Sequence, residues 1–448
     1  MEAANQNTRK RYSKEELSIL FSGGFVLLFI LHFLSGVITN TFKLSLGAFS
    51  LTGLVNLATI LLFMLVICHP VFLKRVVSKR HDYLLFIAVF VSSALPSLVA
   101  NANLRSHVAF ATTVGSLVAV FYLAQLYWSS RHDLDRTLSR ALSTYFGFIA
   151  VSGLIHAYYV DFSVTMAAKL NHEFAFILFE FPHSAAIVSA ALLPLYYKFI
   201  LDGRLRRANF ILVYAGLPVA LIYSGTRIGV VVYCVSLVLT IIVSHFRSWS
   251  GLVGGILALL IMGLVVVKSP VSEQFDKILS VRMSTYLHDN SGYSINSLHT
   301  RTKVWRYMVN KVSAADQLYT GLGWRAWDLS YLPNTRFASS QSDYITVFFD
   351  TGLLGLVGFL LYRGFVMAAL IRDSSKGSVE PLYLLCGVIG SLYIGGLTEN
   401  VDGYSSTSWL LPVMLGLGHC YLDRARDQSG GDTVPAKNGC ASRSWNAK

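Results

Sequence analysis

Two arginines stand where an arginine is costly. Arg227 follows Ser224, Gly225 and Thr226 and precedes the apolar run 228–243. Arg301 lies three residues before Val304 and four before Trp305, so in a helix it shares their apolar stripe. A guanidinium beside hydrocarbon is a functional candidate by default, and the competing reading is snorkelling to lipid headgroups. Two such forks facing one cavity would suit a phosphate-rich ligand, because the planar guanidinium binds phosphate oxygens in pairs. Groups able to take or orient a proton stand nearby in the polar stretches: Asp343 first, then Glu173, His172 and His299. Asp343 and Asp350 could equally be a helix cap and an interfacial carboxylate. Gln341 can orient a hydroxyl but cannot accept its proton near neutral pH. Gly321-Leu322-Gly323-Trp324 is a glycine-rich turn with no strand before it and no phosphate-loop lysine after it. No metal-ligand spacing appears, so neither metal nor cofactor is expected.

These residues need elements to carry them. Charged residues make up 14% of the 448, against about 25% in ordinary soluble domains, and 54% are hydrophobic. That composition excludes a soluble globular enzyme, a disordered chain and a disulfide scaffold. A membrane-crossing helix needs roughly 20 mostly apolar residues. Twelve runs qualify or nearly do: 18–39, 44–68, 83–100, 107–128, 140–158, 184–200, 208–224, 227–245, 250–268, 352–371, 382–397 and 408–422. Several are short or carry proline. The expectation is an all-α, polytopic helical bundle of ten to twelve transmembrane helices. Residues 269–343 form a long loop before the last three spans within 344–422. Val304, Trp305, Met308, Val309 and Val312 repeat at helical spacing, so 298–312 within that loop reads as a helix.

The net charge of +13 would suit nucleic acid in a soluble chain. In a chain this apolar it reads as an orientation signal instead, and no nucleic-acid partner is expected. With the N-terminus in the cytoplasm, the inner segments hold 24 of the 37 basic residues, among them Lys79, Arg80, Arg131, Lys198, Arg204, Arg363, Arg372 and Arg424. The short outer loops hold only Lys43, Arg105, Lys169 and Arg227, and nine more lie in 268–343, the long loop with the lysine at its edge, which is exempt from the rule. Both termini are therefore expected inside. Residues 1–17 form a polar, basic cytoplasmic N-terminus, with spans one to nine in 18–268. The first span reads as an uncleaved anchor. Residues 423–448 read as a disordered cytoplasmic tail. All five cysteines fall in spans or in that tail, so no external disulfide is expected.

Several segments, taken in order, resemble the O-antigen ligase/polymerase superfamily, the Wzy-type polymerases and WaaL-type ligases of bacterial surface polysaccharides. Phe181-Pro182-His183-Ser184-Ala185, followed by Leu192-Leu193-Pro194, looks like the family's Pro-Asn segment before a span. Ser224-Gly225-Thr226-Arg227-Ile228-Gly229 looks like its Ser-Arg-Gly segment. Arg301 to Trp305 and then Gly321-Leu322-Gly323 look like its Arg…Trp…Gly-x-Gly run. Gln341-Ser342-Asp343-Tyr344, then Asp350-Thr351-Gly352-Leu353-Leu354-Gly355, looks like its His-Asn/Ser-x-Tyr…Glu-x-Gly-Leu-x-Gly segment. Gln341 departs from the family, which commonly has His there, a residue considered catalytic in the ligases.

The resemblance implies a GT-C-like inner-membrane bundle with a periplasmic loop. It implies a metal-independent transfer of glycan from undecaprenyl pyrophosphate to an acceptor hydroxyl at the periplasmic face. On that reading Arg227 and Arg301 bind the pyrophosphate; Asp343, Glu173 and His299 are the catalytic candidates; Gln341 and His172 orient the substrate. The lipid-linked oligosaccharide, the bilayer, and a flippase and chain-length regulator of the same pathway are the partners it suggests. The missing His favours a repeat-unit polymerase of O-antigen, capsule or exopolysaccharide over a ligase to lipid A–core. A twelve-span transporter or flippase is a reading from another class, although no repeat between halves is visible. A scaffold in an export complex is a further one.

Overall fold

The computed structural model describes residues 21–32, 34–35, 45–46, 49–101, 103–131, 133–159, 182–223, 227–245, 253, 257, 297–326, 342–376, 378–398 and 407–431. The described chain is all-α and membrane-spanning. After α1 (Phe21–His32) come α2 (Leu51–Cys68), α3 (Pro70–Val77), α4 (Asp82–Ala100), α5 (Leu104–Ser129) and α6 (Leu134–Tyr159). Next are α7 (Pro182–Leu201) and α8, which runs from Asn209–Ile211 through a π-turn at Leu212–Gly216 to Leu217–Tyr223. Then follow α9 (Arg227–His245), α10 (Ser297–Ala314) and α11 (Asp343–Ser374). Helix α12 joins Glu380–Gly387, a π-segment at Val388–Tyr393 and Ile394–Thr398, and α13 is Leu410–Gly431. The sole sheet among the described residues is a two-residue antiparallel pair, Ser45–Leu46 with Phe49–Ser50.

Among the described residues seven helices are long and apolar enough to cross a membrane. The expected ninth run, 250–268, lies almost wholly outside the described residues. The expected span 44–68 is shorter than its apolar run, because Ser45–Leu46 pair with Phe49–Ser50 and the helix starts at Leu51. Helix α13 runs past 422 to Gly431. Its polar last turns dock on neighbours: Asp423 accepts from Lys79 at 3.4 Å, and Arg424 donates to the Arg131 carbonyl.

Helix α7 is the axis of the bundle: 89% of Ser184–Leu201 is buried, against 17% of Leu51–Cys68. Lipid tails are as apolar as leucine, so close approach rather than hydrophobic contrast holds such helices together. The sequence supplies that approach with small residues. Ser236 of α9 donates to the Ala190 carbonyl at 2.5 Å. Gly387 and Gly390 of α12 lie against Ala191 and Ser236 so closely that a Cβ at either would collide with backbone.

The bundle has one basic end. Arg80 donates to Asp373 at 2.7 Å and to Asp82 at 2.8 Å. Arg372 bonds Asp82 and lies 3.4 Å from Asp373, and His419 is 3.5 Å from the same fully buried carboxylate. Lys198 bridges Asp202 at 2.6 Å and Glu380 at 3.4 Å. Arg204 pairs with Asp135 at 2.5 Å, and Tyr421 donates to Asp135 as well. Lys79, Arg80, Lys198, Arg204 and Arg372, all expected on one side of the membrane, therefore share one end and clasp five or more helices there. Arg363, expected with them, does not.

Candidate functional site

Arg363 is 3% exposed in the middle of α11, and its Nη2 donates to the Asp343 carboxylate at 2.9 Å. Twenty residues of continuous helix would hold the two about 30 Å apart. The chain therefore reverses between them, and it does so at Gly352, whose φ of 68° and ψ of −166° lie outside helical space. Helix α11 is a hairpin of two arms. The first, Asp343 to Thr351, is about 14 Å long, half the depth of a bilayer core. The second, Leu353 to Ser374, is long enough to cross it, and Arg363 stands about 16 Å from the turn, near mid-span. A half-length arm is tolerated at membrane depth only where protein surrounds it. Here α4 and α10 do so.

The buried pair is enclosed on all sides that the hairpin offers. Arg363 Nη1 donates to the Tyr344 hydroxyl at 2.9 Å and to the Leu392 carbonyl at 3.3 Å. Its guanidinium carbon lies 4.3 Å from the Phe359 ring centre, 5.0 Å from Tyr344 and 5.2 Å from Tyr393, a cation–π cage. Gly396 closes the lid: an added Cβ there would sit 2.6 Å from Asp343 Oδ2 and 2.9 Å from Arg363 Nη1. Ser342, at the N-cap position, turns its hydroxyl to the Gly396 carbonyl at 3.3 Å and forms no cap bond. Asp343 is thus neither a cap nor a surface group; its carboxylate is the counter-ion of Arg363.

At the turn the two glycine-rich segments meet backbone to backbone. The N–H groups of Leu322 and Gly323 donate to the carbonyls of Phe349 and Asp350, both at 2.9 Å, and Leu353 N–H returns to Leu318 at 2.9 Å. Gly321 and Gly352 both have φ of 68°, and a Cβ on either would strike the other's segment. Asp350, 2% exposed, is no interfacial carboxylate. It accepts the N–H of Arg325 at 2.9 Å and of Ala326 at 3.2 Å. From α4, Ser97 donates to the Asp350 carbonyl at 2.7 Å and Asn101 to the Gly321 carbonyl at 3.2 Å. Asp82 at the other end of α4 belongs to the basic network, so the turn and that network lie at opposite ends of a helix about 28 Å long.

Helix α10 lies along the first arm. Val304, Met308 and Val312 are buried against Phe348 and Phe349, with Trp305 and Val309 half-buried. The expected stripe is therefore the packing face, and half-buried Arg301 extends it by one turn toward the N-terminus. His299 is in the first turn of α10 and Arg227 is the first residue of α9, but the side chains of both lie outside the described residues. His172, Glu173 and Gln341 lie outside them entirely.

Residues 210–360, about a third of the chain, match a family model described as O-antigen ligase. The chain carries a domain of the O-antigen ligase/polymerase superfamily. No curated protein matches it. The matched stretch supports a function of the glycan ligase/polymerase type for this membrane-spanning chain. Within the matched stretch fall Arg227, His299, Arg301, Gln341 and Asp343, together with the clasp of Gly321, Asp350 and Gly352; His172 and Glu173 fall before it. The structure joins Asp343 to Arg363, just past the matched stretch, and so adds a residue that sequence reasoning had placed at the inner face. One signal was available, since a lone arginine inside an apolar run is a functional candidate.

Proposed function

We propose that the chain is a repeat-unit polymerase of a bacterial surface polysaccharide, acting at the periplasmic face of the inner membrane. The basic end faces the cytoplasm and the Gly352 turn faces out. The observation that carries this reading is the docking of α10 on the half-length arm. It packs the α10 stripe, which Arg301 extends by one turn, on the arm that begins at Asp343. Arg227 and Arg301 grip the pyrophosphate of the undecaprenyl-linked donor and stabilise it as it leaves. The bond from the sugar's anomeric carbon to phosphate oxygen breaks, and the electron pair departs with the diphosphate. The acceptor hydroxyl of a second lipid-linked repeat bonds to that carbon and yields its proton to a base. Asp343 is committed to Arg363, so we assign it to holding the arm. The base is then Glu173 or His299, with His172 and Gln341 orienting the acceptor.

The test is Arg227→Ala and Arg301→Ala in the native host. Long-chain polysaccharide should be lost at unchanged protein levels, and its persistence with either change overturns the assignment. The family description favours a second reading, ligation to lipid A–core. A deletion strain separates the two. Loss of a polymerase leaves single repeats on lipid A–core, whereas loss of a ligase leaves long chains on the lipid carrier.

A further inference from the structure

Arg325 is held in a conformation that a glycine would adopt more readily. Its φ is 60°, in the left-handed region, and its side chain is exposed. The fold commits a buried carboxylate to keeping it there: Asp350 takes the N–H of Arg325 and of the next residue. The preceding Trp324 is wedged edge-on against Phe110, 5.0 Å between ring centres, and Gly323 is pinned to the Asp350 carbonyl. Tyr319, 62% exposed, stands in the same clasp at the end of the bundle opposite the basic network. Exposed tyrosine and half-buried tryptophan at the end of a membrane bundle mark headgroup level. A backbone strained at one cation, in a turn held by Asp350 and Phe110, points from the outlier to a use.

We propose that Arg325 binds the diphosphate of a lipid-linked substrate at the outer end of the hairpin, with Asp350 as its positioning residue. Arg301 lies 13 residues before the end of α10, about 20 Å along that helix, so Arg325 makes a separate phosphate contact. The proposal rests on the reading that this enzyme handles lipid-borne diphosphates. An exposed arginine at this depth meets two sources of phosphate, the substrate and the bulk phospholipid, and the experiment has an arm for each.

The test uses the full chain in phosphatidylcholine nanodiscs, with undecaprenyl diphosphate as probe. Arg325→Gly removes the cation and relieves the backbone, so its melting temperature should equal or exceed that of the unaltered protein. Its Kd for the probe should rise about ten- to hundredfold, the scale of a charge-assisted phosphate contact. Arg325→Lys should lie between. Asp350→Asn should weaken binding in the native background but add nothing to Arg325→Gly, because it acts through that side chain. If Arg325→Gly binds the probe as the unaltered protein does, the role of Arg325 is refuted and the enzyme reading stands. If the unaltered protein does not bind the probe, both fail. If phosphatidylglycerol discs without probe show the same dependence on Arg325, the residue is a lipid anchor and the substrate assignment is overturned.

Discussion

The Asp343–Arg363 pair decides whether the carboxylate is structural or catalytic, and a three-variant cycle separates the two. Both side chains are 3% exposed, so removing one partner leaves a charge in a low-dielectric interior at a cost of about 3–5 kcal/mol. Asp343→Asn should fall at the lower end, about 3 kcal/mol. Arg363 keeps the Tyr344 hydroxyl, the Leu392 carbonyl and three ring faces. Arg363→Met should fall at the upper end, about 5 kcal/mol, because it strands a carboxylate. The double variant, Asp343→Asn with Arg363→Met, carries no buried charge and should recover most of the loss. The expected coupling is at least about 2 kcal/mol, readable by detergent-titrated unfolding of the purified protein. Transfer activity on lipid-linked repeats should follow stability and return in the double variant. If Asp343→Asn unfolds within about 0.5 kcal/mol of the native protein yet transfers no glycan, the carboxylate is doing chemistry and the structural assignment is wrong.

The turn and the basic end give two further expectations. Gly352→Ala should abolish accumulation of folded protein: its φ and ψ are essentially glycine-only, a cost of about 1–3 kcal/mol, and the new Cβ would also overlap the Tyr319 carbonyl. Gly364→Ala, which meets nothing within 4 Å, is the matched control and should be silent by fluorescence size-exclusion. Asp373→Asn should lower stability by about 3 kcal/mol, since that carboxylate is fully buried and receives Arg80 and Arg372. Arg372→Ala should cost less than about 1 kcal/mol, because that side chain is 42% exposed and water already screens it. Equal melting temperatures for those two variants would count against the buried network.

The helices were legible because length and apolarity alone dictate them: an 18-residue apolar run such as Leu51–Cys68 has few other structures open to it in a membrane. The stripe Val304, Met308 and Val312 was legible for the same kind of reason, since helical periodicity is local. The hairpin was not. The tenth run reads as 352–371, and the reversal between it and Asp343 rests on the dihedral angles of a single glycine. Without it nothing in the sequence brings Arg363 to Asp343, so Arg363 looked like one more inner-face cation. The glycine pair Gly321 and Gly323 looked weak because no strand precedes it. Its partner is the Asp350–Gly352 segment some thirty residues on, a tertiary contact that local motifs do not encode.

The arm also explains why a buried ion pair is used where apolar packing would cost less. At about 100° per residue, Asp343 and Asp350, seven apart, fall within about 20° of each other on the arm. Ile345, Phe348 and Phe349 centre on the opposite side. The apolar side packs on α10, and that contact alone would tolerate a slide along the helix axis, because hydrophobic contact is non-directional. The carboxylate side would not. A shift of one residue turns Asp343 about 100° away from Arg363 and takes Asp350 off the N–H groups of Arg325 and Ala326 at the same time. Two polar anchors, one at each end of a half-membrane helix, therefore fix its register where hydrophobic contact cannot. What they fix are the two ends of the arm: Ser342 where the chain enters it, and the Gly352 turn, against which the segment of Arg325 and Ala326 is docked.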